Sequence, residues 1–193
     1  MITSNYTLTQ HEMKLMLRWL ALGGKPDVRY HIAEALLSNH VQDQRLGYDI
    51  VLIDAPPRLS TSTIGALAAA THLVMPTVLD RLSAETAGGF LRQVWELRAK
   101  LNLGLELAGV VGTKTPARPL ENKLPPIQEE ALATVISGLA QWRTNGYVFK
   151  RDIQLLASVT RCAGVSNPYF AKEDKAQRMF ESFGDELSER IGL

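Results

Sequence analysis

Asp54 is the carboxylate in this chain best placed to do chemistry. It follows Ile50-Val51-Leu52-Ile53, a short and unbroken apolar run. Such a run, in place of an alternating one, suits a buried parallel strand covered on both faces. Asp54 then falls at the carboxyl end of the strand, where open α/β sheets hold their ligands. Pro56 and Pro57 stop the strand and stiffen its exit. An acid at that point can hold a metal-bound water beside a phosphate. The plainer alternative is that Asp54 caps a turn. The four histidines, His11, His31, His40 and His72, show no metal-ligand spacing, and Cys162 is the single cysteine.

The elements around Asp54 follow from hydrophobic spacing and caps. Thr9 and Glu12 form a capping box for a helix to about Leu22, which Gly23-Gly24 ends. A second helix is expected from Asp27 to about Arg45, with Ile32, Ala35, Leu36 and Leu37 inward. Ser60 to Thr63 offer an N-cap for a helix to Ala70. Its small residues, Gly65, Ala66, Ala68, Ala69 and Ala70, allow close packing on a sheet. A strand from His72 to Met75 is expected to end at Pro76. Residues 77–82 then form a loop at the same sheet edge as Asp54, with Asp80 and Arg81 as weak candidates. Ser83 is expected to cap a helix to Leu101, in which Phe90, Leu91, Val94, Leu97 and Leu101 recur at helical spacing. Leu105 to Gly112 read as an internal strand, with Thr113 and Lys114 at its carboxyl end. Residues 115–126 are a proline-rich loop. Pro126 suits the first turn of a helix to Trp142. Tyr147-Val148-Phe149 reads as a last short strand. A helix from Lys172 to Ile191 closes the chain, with Ala176, Met179, Phe180, Phe183 and Leu187 on one face.

The run from Tyr48 to Val78, YDIVLIDAPPRLSTSTIGALAAATHLVMPTV, resembles the Walker B region of the ParA/MinD family of P-loop ATPases. Those proteins have an apolar strand, D-x-P-P, a helix rich in Ala and Leu, and a second strand ending in Pro. A weaker likeness continues through Gly109 to Lys114 and on to the C-terminus. The resemblance implies an α/β fold with a mainly parallel sheet and helices on both faces, in three layers, N-terminally incomplete. It implies one domain over residues 1–193.

The family's phosphate-binding loop, K-G-G-x-G-K-[ST], has no counterpart before Tyr48. Gly23-Gly24-Lys25-Pro26 has the wrong spacing. Gly109-Val110-Val111-Gly112-Thr113-Lys114-Thr115 also fails G-x-x-x-x-G-K-[ST]. The chain therefore resembles roughly the C-terminal two-thirds of such an ATPase.

The resemblance implies ATP and Mg²⁺ as cofactors. Asp54 takes the catalytic position and holds Mg²⁺ through water. Pro56, Pro57, Thr113, Lys114 and Arg151 fall beside the nucleotide. Thr113 stands where MinD-like relatives often carry an Asn that reads adenine. The segment Lys150 to Ser158 resembles the one where a short helix begins beside the nucleotide. The family also implies a homodimer, a partition-type partner protein and nonspecific DNA binding. The DNA candidates here are Lys150, Arg151, Lys175 and Arg178, with Arg161 and Lys172. Asp152, Glu173, Asp174 and Glu181 interleave with them, as on an ordinary solvated face.

Composition narrows the classes. A chain of 193 residues, 46% hydrophobic and 21% charged, is that of an ordinary soluble globular protein. A net charge of +1 gives no global pull toward nucleic acid, so DNA binding needs a local basic patch. No apolar run reaches membrane-span length, and no signal-peptide pattern opens the chain. A single cysteine suits the cytoplasm. Two further readings stay open. One is a non-catalytic scaffold that keeps the ATPase core shape and binds a partner. The other is a remnant whose open sheet edge makes it poorly soluble.

Overall fold

The computed structural model describes residues 13–14, 16–17, 21, 50–56, 58–101, 103–116, 124–145, 147–162 and 174–193. The chain divides into two compact units. One is Met1–Thr71 with Leu103–Leu105, the other His72–Asn102 with Glu106–Leu193.

In the first unit, Met13, Lys14, Met16, Leu17 and Ala21 are helical, within the helix expected to run to about Leu22, and the expected capping box lies outside the described residues. The helix expected over 27–45 lies outside the described residues. Helix α1 spans Thr61–Ala69. Ser60 is its N-cap, and the Ser60 hydroxyl accepts from the Thr63 N–H at 3.3 Å. Thr63, Gly65, Ala66 and Leu67 are buried.

The expected strand at 50–53 is not formed. Ile50, Val51 and Leu52 are 54%, 52% and 87% exposed, and no strand is assigned from Ile50 to Pro56. An apolar run becomes a strand only when its peptide groups find a ladder partner. Among the described residues this segment has none.

The second unit is built on a parallel sheet in the order β1-β2-β3. Strand β1 is His72–Val78, β2 is Glu106–Thr115 and β3 is Ile153–Gln154. β1 runs through Pro76 instead of stopping there. Among the described strands it pairs only with β2, and a sheet edge is where proline is tolerated. β2 is buried continuously from Leu107 to Gly112. Neighbouring residues of a strand point to opposite faces, so both of its faces are covered.

Helix α2, Arg81–Leu101, connects β1 to β2. Its cap is Asp80, not Ser83. The Asp80 carbonyl accepts the first helical bond, from Ala84 N–H at 3.0 Å. The Asp80 carboxylate accepts from the Ser83 N–H at 2.8 Å. Ala84, Ala87, Gly88, Leu91 and Val94 form the buried stripe. Helix α3, Pro126–Gly138, buries Ala131, Val135 and Gly138, and a 3₁₀ turn, Ala140–Asn145, follows it. The Trp142 indole N–H in that turn donates to the Leu91 carbonyl at 3.3 Å, and its ring meets Trp95 edge-on at 5.1 Å. Helix α4 is Ala157–Cys162 and α5 is Asp174–Ile191. Phe183, Leu187 and Ile191 of α5 pack on Ala108, Val111 and Phe149, and Ala176 is fully buried.

The expected strand at 147–149 shrinks to a bridge between Val148 and Val110. The next two residues turn away, because the Lys150 and Arg151 N–H groups bond to a side chain of α5. Pairing with β2 resumes at Ile153. Gly109 allows the Val148 bridge. A Cβ there would stand 2.8 Å from the Phe149 ring and 2.9 Å from the Tyr147 carbonyl oxygen.

Helices α2 and α3 touch backbone to backbone at two glycines. A Cβ on Gly138 would stand 2.8 Å from the Gly88 Cα, whereas a Cβ on Gly88 would meet Gly138 only at 3.7 Å. The two substitutions should therefore differ. Gly138→Ala should destabilise by about 1–3 kcal/mol through overpacking. Gly88→Ala should be neutral or stabilising by up to ~1 kcal/mol, because alanine is the better helix former. Urea unfolding of the two variants measures the difference, and equal losses would contradict the crossing.

Candidate functional site

In the second unit, the carboxyl ends of β1, β2 and β3 lie side by side. Thr113 is in register with Val78 on one side and Ile153 on the other. Thr115 is in register with Gln154, so β2 carries one extra residue between the two pairs. That residue is Lys114. It has φ of 56°, the left-handed region where a non-glycine residue is uncommon. Its side chain is exposed, while Thr113 is half-buried. Bulges of this kind re-aim a side chain at the end of a strand.

Thr115 is fully buried at the same edge. Its hydroxyl donates to the Asp152 carboxylate, and its carbonyl accepts from Leu155 N–H at 2.8 Å. Asp152 thereby ties the turn after Phe149 to the end of β2. Gly112 leaves room for this approach. A Cβ there would crowd Leu79 at 3.0 Å and reach Asp152 at 3.6 Å.

Arg151 occupies the same turn and is exposed, as is Lys150. Their N–H groups donate to Glu186 of α5, at 2.8 Å from Lys150 to Oε1 and 3.0 Å from Arg151 to Oε2. The Tyr147 hydroxyl donates to Oε1 at 2.6 Å. Burial raises the pKa of Glu186, but the bonds from Tyr147, Lys150 and Arg151 outweigh it and hold the carboxyl below its ordinary value. The hydrogen bond to Glu186, with burial second, pushes Tyr147 up to about 12. The Arg190 guanidinium lies over the Tyr147 ring at 4.9 Å.

Thr113 and Lys114 thus stand at the end of β2, in register with β3, and Arg151 lies in the turn that leads into β3. Asp80 and Arg81 turn out to hold the start of α2. The Ser83 N–H, and then its hydroxyl, lower the Asp80 pKa. Arg81 pairs with Glu85 at 3.1 Å, which raises its pKa. Glu186, Tyr147, Thr115 and Asp152 were not singled out from sequence. Thr115 and Asp152 adjoin residues that were. Glu186 has no local signal, because its partners lie 35 to 39 residues away.

Asp54 and Pro56 belong to the first unit. Asp54 is exposed, and Pro57 lies outside the described residues. The Thr63 hydroxyl donates to the Arg58 carbonyl at 2.5 Å and lies 3.4 Å from that of Pro56. The exit from Asp54 is thereby fastened to the first turn of α1. Of the DNA candidates, Lys175 and Arg178 are exposed on α5. Arg178 pairs with Asp174 at 3.8 Å. Arg161 is in α4, and Lys172 lies outside the described residues.

The described residues alone do not make a complete Mg-ATP site. Among the described residues no group of three His, Cys, Asp or Glu side chains can hold a metal. Asp54 alone would bind strongly hydrated Mg²⁺ weakly. The exposed cations Lys114 and Arg151 offer charge to a phosphate, but no loop of the family's spacing offers it a backbone cradle. Among the described residues no helix is long and apolar enough to cross a membrane.

Comparison with known proteins agrees with this architecture. A family model described as an AAA domain matches residues 1–107, more than half of the chain. The chain is 45% identical over 74 residues to the chromosome-partitioning ATPase Soj of Thermus thermophilus, covering 38% of this chain and 30% of that protein. It is 32% identical over 85 residues to the sporulation initiation inhibitor protein Soj of Bacillus subtilis, covering 44% and 34%. It is 36% identical over 66 residues to the chromosome partitioning protein ParA of Caulobacter vibrioides, covering 34% and 25%. These matches span about a third or less of each curated relative. The structure of apo McdA from Cyanthece shares the fold, with a TM-score of 0.68 and 16% identity over 90% of this chain and 62% of McdA.

Two outcomes follow from this geometry. Asp152→Ala leaves the buried Thr115 hydroxyl without its acceptor and should destabilise by about 1–3 kcal/mol. Thr115→Val in the same chain removes the stranded donor and should recover most of that loss in a denaturant-unfolding cycle. Tyr147 gives a pH signature. Its folded pKa is raised from 10.0 to about 12, so its bond stabilises fully below pH 10 and is lost as pH rises toward 12. The stability difference between wild type and Tyr147→Phe should shrink across that window. A constant difference would mean the hydroxyl is not held by Glu186.

Proposed function

This chain belongs to the AAA domain family, as a ParA/MinD-type P-loop ATPase, and we propose that it serves the partitioning role of that family. In this reading it positions DNA or protein complexes in the cytoplasm through an ATP-dependent homodimer, together with a partition-type partner protein. The chain alone contributes little ATP hydrolysis. The observation that carries the reading is the Lys114 bulge at the carboxyl end of β2, in register with β3, which follows the turn bearing Arg151. Ligands of open α/β sheets bind at that end of the strands.

Asp54 is the proposed catalytic and Mg²⁺-side carboxylate. Pro56, Pro57, Thr113, Lys114 and Arg151 are the proposed nucleotide-side residues. Lys150, Arg151, Lys175 and Arg178 are the proposed DNA contacts. One domain over residues 1–193 is part of the same proposal.

The exposure of Asp54 favours a second reading, a ParA-like scaffold that binds a partner without turning over nucleotide. Three measurements on the pure full chain separate the two. A fluorescent ATP analogue should bind weakly with Mg²⁺, and Lys114→Ala or Arg151→Ala should weaken it by roughly tenfold, the scale of one charge-assisted hydrogen bond. Sedimentation should show a dimer only with the nucleotide. Mg-ATP turnover should stay at background. No binding and no nucleotide-dependent dimer would leave the scaffold. Turnover that Asp54→Ala abolishes would overturn the expectation of little hydrolysis. For DNA, affinity should fall steeply with salt, and Lys175→Ala should lower that dependence by about one phosphate contact.

A further inference from the structure

The turn at Lys150 and Arg151 is not held by the sheet. Ladder pairing lapses between the Val148 bridge and Ile153. What holds it instead is one carboxylate on α5. Two successive backbone N–H groups, from Lys150 and Arg151, converge on Glu186 from one side, and the Tyr147 hydroxyl joins them. Successive peptide N–H groups pointing at one anion form a nest, a recurring anion-binding geometry. Here the anion is the chain's own.

The same helix grips the turn again one turn further on. Arg190 stacks on the Tyr147 ring, and its Nε–H donates to the Ala108 carbonyl of β2 at 3.1 Å. Lower on α5, the Met179 sulfur accepts from the Gln154 N–H at 3.1 Å. The far end of the turn is tied to β2 by Asp152 and Thr115. Residues 147–152 are therefore slung between α5 and β2. Arg151 stands in the middle of that sling with its side chain exposed.

We propose that Glu186 is a positioning residue: its carboxylate sets the backbone of Lys150 and Arg151, and so couples α5 to the edge at which Arg151 stands. The coupling to a ligand rests on the nucleotide-side reading of that edge. The setting of the turn does not. A shift of α5 moves the nest, and the nest moves Arg151.

Glu186→Gln tests this with little change in volume. The amide oxygen can still accept from Tyr147 and Lys150. The amide nitrogen then meets the Arg151 N–H, and two donors cannot bond to each other. Trypsin cuts after Lys and Arg, so it reports opening of this turn directly. Wild-type protein should resist cleavage after Lys150 and Arg151. Glu186→Gln should be cut there roughly tenfold faster, with cleavage elsewhere and far-UV circular dichroism unchanged. Glu189→Ala, which removes an exposed carboxylate from the same helix, should behave as wild type. Equal cleavage of Glu186→Gln and wild type would overturn the proposal. So would faster cleavage throughout α5, which would make Glu186 a mere helix anchor.

Binding of the fluorescent ATP analogue supplies the second arm. If wild type binds it, Glu186→Gln should weaken binding, and should add nothing further in an Arg151→Ala background. Additive losses would overturn the coupling. If wild type does not bind it, the nucleotide reading of the edge fails, while the cleavage result still decides whether Glu186 sets the turn.

Discussion

Strand β2 is buried along six successive residues, so its peptide groups must find partners inside the protein. β1 meets that demand on one edge over its whole length. The other edge is served piecemeal. The segment around Val148 bonds to Val110 through the Val110 N–H and carbonyl, at 2.8 and 2.9 Å, and β3 takes over at Thr113. Between those points the neighbouring chain leaves the ladder. The departure is possible because Glu186 accepts the N–H groups that the ladder would otherwise have used. Satisfaction of β2 is thus the constraint from which the order of elements, the bend at 150–152 and the docking of α5 all follow.

The same constraint explains why so many small residues fall where they do. Gly109 lets the Tyr147–Phe149 segment lie against β2, and Gly112 lets Leu79 and Asp152 close over its end. Gly88 and Gly138 bring α2 and α3 into backbone contact. Lys114 is the exception, a long side chain in a left-handed conformation at a bulge. Strained positions of this kind persist where the surroundings over-determine them, and here Thr113 and Thr115 are both locked into register with β3.

What could be read from sequence was what depends on local spacing. The stripe through Leu91 and Val94 gave α2, and the face through Ala176, Phe183 and Leu187 gave α5. The unbroken apolar stretch after Leu105 identified β2. What escaped depends on partners distant in the chain. Ser83 and Asp80 are both good caps, and only the three-dimensional bond shows that the aspartate leads. The run at 50–53 has a strand's composition but no ladder partner among the described residues, and composition cannot supply one. Pro76 reads as a stop because a proline usually is one, except at a sheet edge, where β1 lies among the described strands. At the candidate site, Thr113, Lys114 and Arg151 are named by resemblance alone, and Thr115 and Asp152 adjoin them. Glu186 sits on a helix of mixed charge and looks like any solvated acid until its three donors are seen.

This bears on how a scaffold and an ATPase differ when they share one sheet. A phosphate held at such an edge needs donors that keep their positions when charge arrives, because reorganising them consumes the energy gained. A protein-binding surface has no such need, and an unheld turn would serve it well. Here the turn bearing Arg151 is fixed at both ends, by Glu186 and by Thr115, although the sheet itself does not hold it. Its stiffness comes from side-chain bonds whose only evident product is a set position for residues 150–152. A turn fixed in this way meets the first of these demands. Because those bonds to Glu186 come from α5, the setting of the turn and the docking of that helix depend on each other.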